Sequence, residues 1–306
     1  MNVQRRTFNI EHRTSAGRRP IATSRFKKYF LLSIAFFIFT SIGVAEYDGA
    51  LELHFIDVGY GDSTLIKSPA GRHTLIDTGY PRASASLLTF LREQKVDTLD
   101  YLIMTHPHPD HLGGAVEVLK NFKVKQLRDN GQPIDQFDER LTQAMGAEYE
   151  KKFREKPNYR TLTTGDSIKW GDITLDILWP PDPIPSLDWN TNSMVIMLRS
   201  QKFRALLAAD LNQRGERELL NNTGITLGSE ILKVGHHGAV DATGPELLKA
   251  VSPKFAVISV GKNPWGYPSP VVIRRLQEAG AKVFRTDRDG SISFRYHPDK
   301  GTKRMD

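Results

Sequence analysis

The chain has 306 residues, 39% apolar and 25% charged, with no cysteine. This suits one large globular domain or two small ones, and it excludes a disulfide framework and any thiolate metal ligand. The formal charge of +7 belongs to the N-terminus: residues 1–45 hold eight of the 42 basic residues and one of the 35 acidic ones, leaving 34 of each in a neutral body. A body of zero net charge does not advertise the basic face of a nucleic-acid domain, although a local patch can still exist.

Residues 1–45 read as an export leader. A basic stretch ends in Lys27-Lys28, an apolar run of 16 residues extends from Tyr29 to Val44, and Gly43-Val44-Ala45 gives a small-x-small cleavage pattern. The run is shorter than the roughly 20 residues that span a bilayer comfortably. Cleavage after Ala45 is the preferred expectation, and an uncleaved N-terminal anchor with its basic flank inside is the alternative. On either reading residues 46–306 face outward, periplasmic, extracellular or held at the outer face of the inner membrane. The membrane is met through the N-terminal segment alone, and no obligate protein partner is evident.

In the body, Leu51, Leu53 and Phe55 alternate with Glu52 and His54, the pattern of a half-buried strand. Gly59 and Gly61 interrupt it, Ser63–Lys67 resumes, and the turn at Ser68–Gly71 returns the chain along Arg72–Asp77 as an antiparallel meander. Ser84–Gln94 reads as a helix with Leu87, Leu88 and Leu91 on one side, Tyr101–Thr105 as a buried strand, and His111–Asn121 as a helix. Asp135–Lys156 is charged and helix-prone, with Phe137, Leu141 and Met145 near helical spacing, and is expected as a surface insertion over one rim. A hairpin over Ile168–Leu178 turns at Trp170-Gly171-Asp172. Four prolines between Pro180 and Pro185 exclude regular structure there. Strands follow at Met194–Leu198, Phe203–Ala208, Ile231–Val234 and Phe255–Val260, then a helix over Pro268–Ala279. Lys282–Arg285 is the next strand, Asp289-Gly290 a hairpin turn, and Ser291–Tyr296 the last strand. Two sets of strands interleaved with helices imply a single α/β domain with two sheets face to face and helices outside.

The stretch that carries chemistry is Thr105-His-Pro-His-Pro-Asp-His-Leu-Gly-Gly114. Proline pushes the residue before it into an extended conformation, and positions i and i+2 of an extended segment project to the same side. His106 and His108 are therefore expected to converge on one point. Asp110 and His111, at a helix start, can reach a second point beside it. Imidazole and carboxylate are the ligands that zinc, iron and manganese accept. Three other strands also end in a His or Asp, at Asp77, Asp210 and His236-His237.

The cluster fits the His-x-His-x-Asp-His signature of the metallo-β-lactamase superfamily. Phe55–Asp62 (FIDVGYGD), Leu75–Gly79 (LIDTG), Asp210, His236-His237-Gly238 and Thr286–Gly290 resemble its ComEC-like branch of competence-protein hydrolase domains over nearly all of residues 51–296. The resemblance implies a four-layer αββα sandwich. It also implies that His106 and His108 hold one divalent ion, that Asp110, His111 and His237 hold the other, and that Asp210 bridges them; zinc leads, with manganese or iron as alternatives. Asp77 would fix the orientation of a ligand histidine, with Asp57 and Asn192 as further supports. Asp110 would orient the nucleophile, and His236 is a candidate proton donor. Two ions sharing a water would lower its pKa and hold the hydroxide in line with a phosphorus or carbonyl centre.

The sequence departs from the pattern in places. Residues 170–209 contain no histidine where many members place one, and Asp188, Asn190, Asn192 and Ser193 stand there instead. Tyr60, Ala209, Ala239 and Tyr267 replace the branch's usual Gln, Gly, Ser and His. Tyr267 and Asn263 are candidate contacts to substrate. Lys254, Lys262, Arg274, Arg275, Arg285 and Arg288 would favour nucleic acid if they cluster at the site and a small substrate if they scatter. The leading expectation is an exported hydrolase of phosphodiester bonds, with DNA or a small phosphodiester as substrate. Hydrolysis of a lactam, lactone or thioester is the alternative, and a metal-binding module without turnover is a third.

Overall fold

In a computed structural model, residues 49–134, 140–185, 188–221 and 224–305 are described; the leader and Phe137 lie outside them. Eight strands form one sheet: β1 (Leu51–Phe55), β2 (Thr64–Lys67), β3 (His73–Ile76), β4 (Thr98–Ile103), β5 (Lys123–Asp129) and β6 (Tyr159–Thr161) are joined by the C-terminal β14 (Ile292–His297) and β15 (Gly301–Met305), in the order β15-β14-β1-β2-β3-β4-β5-β6. The second sheet holds β7 (Ser167–Trp170), β8 (Ile173–Trp179), β9 (Val195–Ser200), β10 (Phe203–Leu207), β11 (Ile231–Lys233), β12 (Phe255–Ile258) and β13 (Lys282–Arg285), in reverse chain order from one edge to the other. Strands β14 and β15 return to the first sheet.

The period of two along each strand sorts side chains between layers. Leu53, Phe55, Ile66 and Ile76 meet Ile196, Leu198, Ala205 and Val257 between the sheets. Leu65, Leu75 and Leu102 face the other way, beneath Leu87 and Leu91 of the helix Ser84–Glu93 and Val118 of the helix Ala115–Asn121. On the far side Leu206, Leu232 and Ile258 lie beneath Leu247, Leu248, Val272 and Leu276 of the helices Pro245–Val251 and Pro270–Glu278. This is the αββα sandwich expected. Burying an aliphatic side chain on either face contributes about 1.5–3 kcal/mol, so both faces of each sheet need a cover.

That cover explains why β1 is buried on both sides rather than half-exposed. His54 is 1% exposed, with its ring 5.8 Å from that of Phe90, and Glu52 pairs with Lys67 and Arg295. The helix expected over His111–Asn121 is two pieces, Pro109–Leu112 and Ala115–Asn121, parted at Gly113-Gly114. A Cβ on Gly113 would lie 2.4 Å from Pro81 Cδ and one on Gly114 2.6 Å from the Thr78 carbonyl, so the glycines let the metal loop dock on the loop after β3.

Two further expectations are corrected. No hairpin joins β13 to β14: they belong to different sheets, and the short helix Thr286–Asp289 carries the chain across. Nor is Ser291–Tyr296 the last strand, because β15 follows; its Gly-Thr-Lys-Arg-Met sequence is an exposed edge without alternating apolar residues. The insertion also does more than cover a surface. The helix Arg140–Tyr149 runs into a π-helical turn, Glu150–Arg154, and buries Tyr149 and Phe153 completely. Tyr149 and Tyr159 donate hydroxyl hydrogen bonds to Asp129, and Arg154 Nε donates to it at 2.6 Å. Tyr149 and Arg154 border His106 and Pro107, so the segment buttresses the back of the metal loop.

Candidate metal centre

The loops after β3, β4, β10 and β11 bring eight histidine and aspartate side chains to one end of the sandwich. Four of the residues involved, Asp77, Ala209, His236 and His237, hold positive φ without being glycine. Such backbone costs of order 1 kcal/mol or more per residue and persists only where its surroundings fix it. Here each loop is pinned: Thr78 N and Oγ1 donate to the His111 carbonyl at 2.6 and 2.9 Å, and His236 N donates to the Ala209 carbonyl at 3.0 Å.

Asp110, His111, Asp210 and His237 form one group, all buried, with one ligand atom of each within 4.8 Å of the others; His106, His108 and Asp210 form a second by the same measure. Asp210 Oδ2 stands 3.2 Å from His111 Nε2, 3.4 Å from His237 Nε2 and 3.8 Å from His106 Nε2, which puts one carboxylate between both groups. His106 Nε2 and His108 Nδ1 approach to 2.8 Å.

The far side of each ring is held. His111 Nδ1 donates to Asp77 Oδ2 at 2.8 Å, and Asp77 also accepts from Thr105 N and Thr105 Oγ1, each at 2.8 Å. His237 Nδ1 donates to the Ser259 carbonyl at 2.8 Å. Both rings thereby present Nε2 inward.

Burial opposes protonating His111, yet the Asp210 and Asp77 carboxylates hold its pKa well above the ordinary imidazole value. His237, also opposed by burial, is raised to about 10 by Asp210 and Asp110. Burial pushes Asp210 up, but His237 and His111 hold it well below the usual carboxylate range. His106 and His108 are lowered, first by burial. The Asp210, Asp110 and Asp77 carboxylates thus favour positive charge where these imidazoles converge, the place a bound cation would take, and metal binding requires the ligand nitrogens deprotonated. Asp210 Oδ1 is buried without a hydrogen-bond partner, which costs free energy that a bound cation would offset. Donor types, spacing and this orphaned oxygen all fit divalent metal.

Sequence reasoning missed a buried ion pair beneath this cluster. Lys233, the last residue of β11 and 2% exposed, meets Asp62, and its Nζ also donates to the Ala209 carbonyl at 2.9 Å. Asp62 Oδ1 stands 3.9 Å from His237 Nδ1 and its Oδ2 4.0 Å from His111 Nδ1. The signal was present, as a lysine ending an apolar strand and a second aspartate in FIDVGYGD.

Two expected site residues are corrected. Asp57 is exposed and accepts from Gly59 N at 2.9 Å; the carboxylate of that loop nearest the histidines is Asp62, because the break at Gly59 and Gly61 turns Asp57 outward. Asn263 spends its amide on its own loop: its Nδ2 donates to the Gly261 and Tyr267 carbonyls, and its Oδ1 accepts from Trp265 N and Tyr267 N. Tyr267 does stand at the site, its ring 5.5 Å from that of His236. His236 sits at the rim, with Asn190 Nδ2 donating to Nε2 at 3.2 Å and Asp241 3.6 Å from Nδ1. Asn192 is fully buried, and its carbonyl accepts from Asn130 Nδ2 at 3.0 Å. Of the basic residues, Lys254 pairs with Glu230 at the opposite end of the strands, Arg285 pairs with Asp287 at the site end of β13, and Arg275 donates to the Val240 carbonyl in the loop after His237.

The profile of the Metallo-beta-lactamase superfamily matches residues 56–262. The chain belongs to this superfamily. Within it, the chain is 33% identical over 270 residues to "ComE operon protein 3" of Bacillus subtilis (strain 168), covering 82% of this chain and 34% of that protein. It is 31% identical over 253 residues to "Recombination protein 2" of Haemophilus influenzae, covering 80% and 29%. These relatives place it in the ComEC-like branch, and the chain spans about a third of their length. The metallo-beta-lactamase fold protein YhfI from Bacillus subtilis, 11% identical, superposes with a TM-score of 0.53 over 81% of this chain and 99% of that one, which shows the shared fold. Superfamily membership and the two ligand groups make the chain a metal-dependent hydrolase.

Proposed function

We propose that the chain is an exported hydrolase of phosphodiester bonds that works with two divalent cations, zinc first and manganese or iron as alternatives. The observation that carries this reading is the sharing of Asp210 by the two ligand groups, His106 and His108 on one side and Asp110, His111 and His237 on the other. Bound there, the cations supply an acidified water and positive charge against the oxygens of the reacting group. The histidines stay fixed throughout, because Asp77 and the Ser259 carbonyl hold His111 and His237 by their outer nitrogens. Asp110, with Oδ2 3.2 Å from His237 Nε2, aligns the attacking water and accepts its proton. His236, partly exposed at the rim, delivers a proton to the departing oxygen. The leader sequence supports export.

The choice of phosphodiester over acyl substrates rests on membership of the competence-protein branch and on the absence of a histidine from residues 170–209, where many superfamily members supply another ligand. Metal-loaded protein should cleave bis-p-nitrophenyl phosphate and leave a lactam, a lactone and a thioester intact. Turnover of an acyl substrate alone would overturn the assignment.

A further inference from the structure

Beside the cluster, a row of aromatic rings leads from a candidate ligand out to solvent. The Tyr60 ring lies 4.5 Å from that of His237 and 4.8 Å from Trp265, and Trp265 stacks at 6.2 Å on Tyr267, which leans on His236. Trp265 is 55% exposed, whereas Trp170 and Trp179 are buried and Trp189 partly so. Trp265, Val240 and Val271 are the large apolar side chains left exposed among the described residues, and of these Trp265 alone carries a flat aromatic face beside the cluster.

The loop that presents Trp265 is built rather than loose. Asn263 closes it with four hydrogen bonds from one amide. At its start a Cβ on Gly261 would lie 2.3 Å from the Gly59 carbonyl carbon and 2.4 Å from Tyr60 N, so the loop is docked backbone to backbone on the loop between β1 and β2 that carries Tyr60. The indole is therefore held in place before any ligand arrives, which removes most of the ordering cost of binding.

We infer that Trp265, backed by Tyr60 and Tyr267, is a stacking shelf for the nucleobase attached to the phosphate that reacts at the cluster. This deepens the phosphodiester reading and rests on it. Three observations select an unpaired base as the occupant. The row is continuous with His237 through ring-to-ring steps of 4.5 and 4.8 Å, so a base on the indole lies two ring contacts from the cluster. The body carries no net charge, and Lys254 and Arg285 are already paired with Glu230 and Asp287, which leaves little electrostatic grip on a duplex backbone, where affinity comes mostly from phosphate contacts. A flat π face binds any base by stacking without reading its identity, and only a base out of the duplex exposes both faces to it.

The test compares a short oligothymidylate with an abasic strand of the same length, on the full chain loaded with manganese. Wild-type protein should cleave the thymidylate with kcat/KM roughly tenfold above the abasic strand, within the range one stacked base contributes. Trp265→Ala should bring that ratio close to one, and Trp265→Phe should largely restore it. The thymidylate should also quench the exposed tryptophan's fluorescence in a way the abasic strand does not. An unchanged ratio in Trp265→Ala, or equal quenching by both strands, would overturn the shelf. Cleavage of neither strand would count against the phosphodiester reading alone, and the quenching comparison would still decide the shelf.

Discussion

Asp77 and His111 meet across 2.8 Å, carboxylate Oδ2 to ring Nδ1, and the opposite nitrogen of that ring faces Asp210 at 3.2 Å. The aspartate after β3 thus fixes which nitrogen of a candidate ligand points at the cluster. Replacing Asp77 with Asn would keep the size of the group but remove the charge that holds the proton on Nδ1. Metal affinity should fall about 10–100-fold, as for other partners of ligand histidines, while the fold survives. Titration of metal-free protein with zinc against a competing chelator measures it.

Lys233 and Asp62 form their ion pair in the interior, where each charge is costly without the other. Lys233→Met should destabilise the protein by about 3–5 kcal/mol, because it strands the Asp62 carboxylate. Adding Asp62→Leu should recover most of the loss. Denaturant unfolding of both single variants and the double variant gives the coupling energy.

Glu216 supplies a pH dependence away from the metal centre. Its carboxylate accepts from Thr243 N and from Gly244 N, the latter at 2.9 Å, and burial raises its pKa to about 7 against these bonds. A folded-state pKa above the unfolded value means that the contribution to stability is fully present below about 4.5 and is lost as pH rises through 7. The loss should reach about 3 kcal/mol at 1.36 kcal/mol per unit. Thermal unfolding from pH 4.5 to 8 should show it as a falling Tm, and Glu216→Gln should flatten that part of the curve.

Gly113→Ala should destabilise by about 1–3 kcal/mol, since the new methyl must displace Pro81 or the Pro109 carbonyl in a tightly packed contact. Because that contact docks the metal loop on the loop after β3, zinc affinity should fall with it. Calorimetric unfolding with and without zinc separates the two effects.

How far the chain could be read without its structure follows from where its signals are local. His106 and His108 were legible because proline and the strand period fix their directions within a few residues, and the sheet core because alternation is a short-range pattern. The two outer layers were not legible from β1 alone: Glu52 and His54 look solvent-facing until a helix and Arg295 from β14 cover them. Lys233 and Asp62 are 171 positions apart and show as partners only once β11 lies beside the first loop. Asn263 looked like a contact for substrate because nothing in its neighbourhood announces that four backbone groups of its own loop consume the amide. β15 escaped because an edge strand needs no apolar face.

The proposed hydrolysis of phosphodiester bonds depends on Asp210 standing between the two ligand groups. The direct measurement is cleavage of linear single-stranded DNA by the full chain after chelation and after reloading with manganese, beside His108→Ala and Asp210→Asn. Cleavage that vanishes on chelation, returns with metal and falls at least a hundredfold in both variants is the expected result. Cleavage that survives chelation, or that both variants retain, would contradict the proposal.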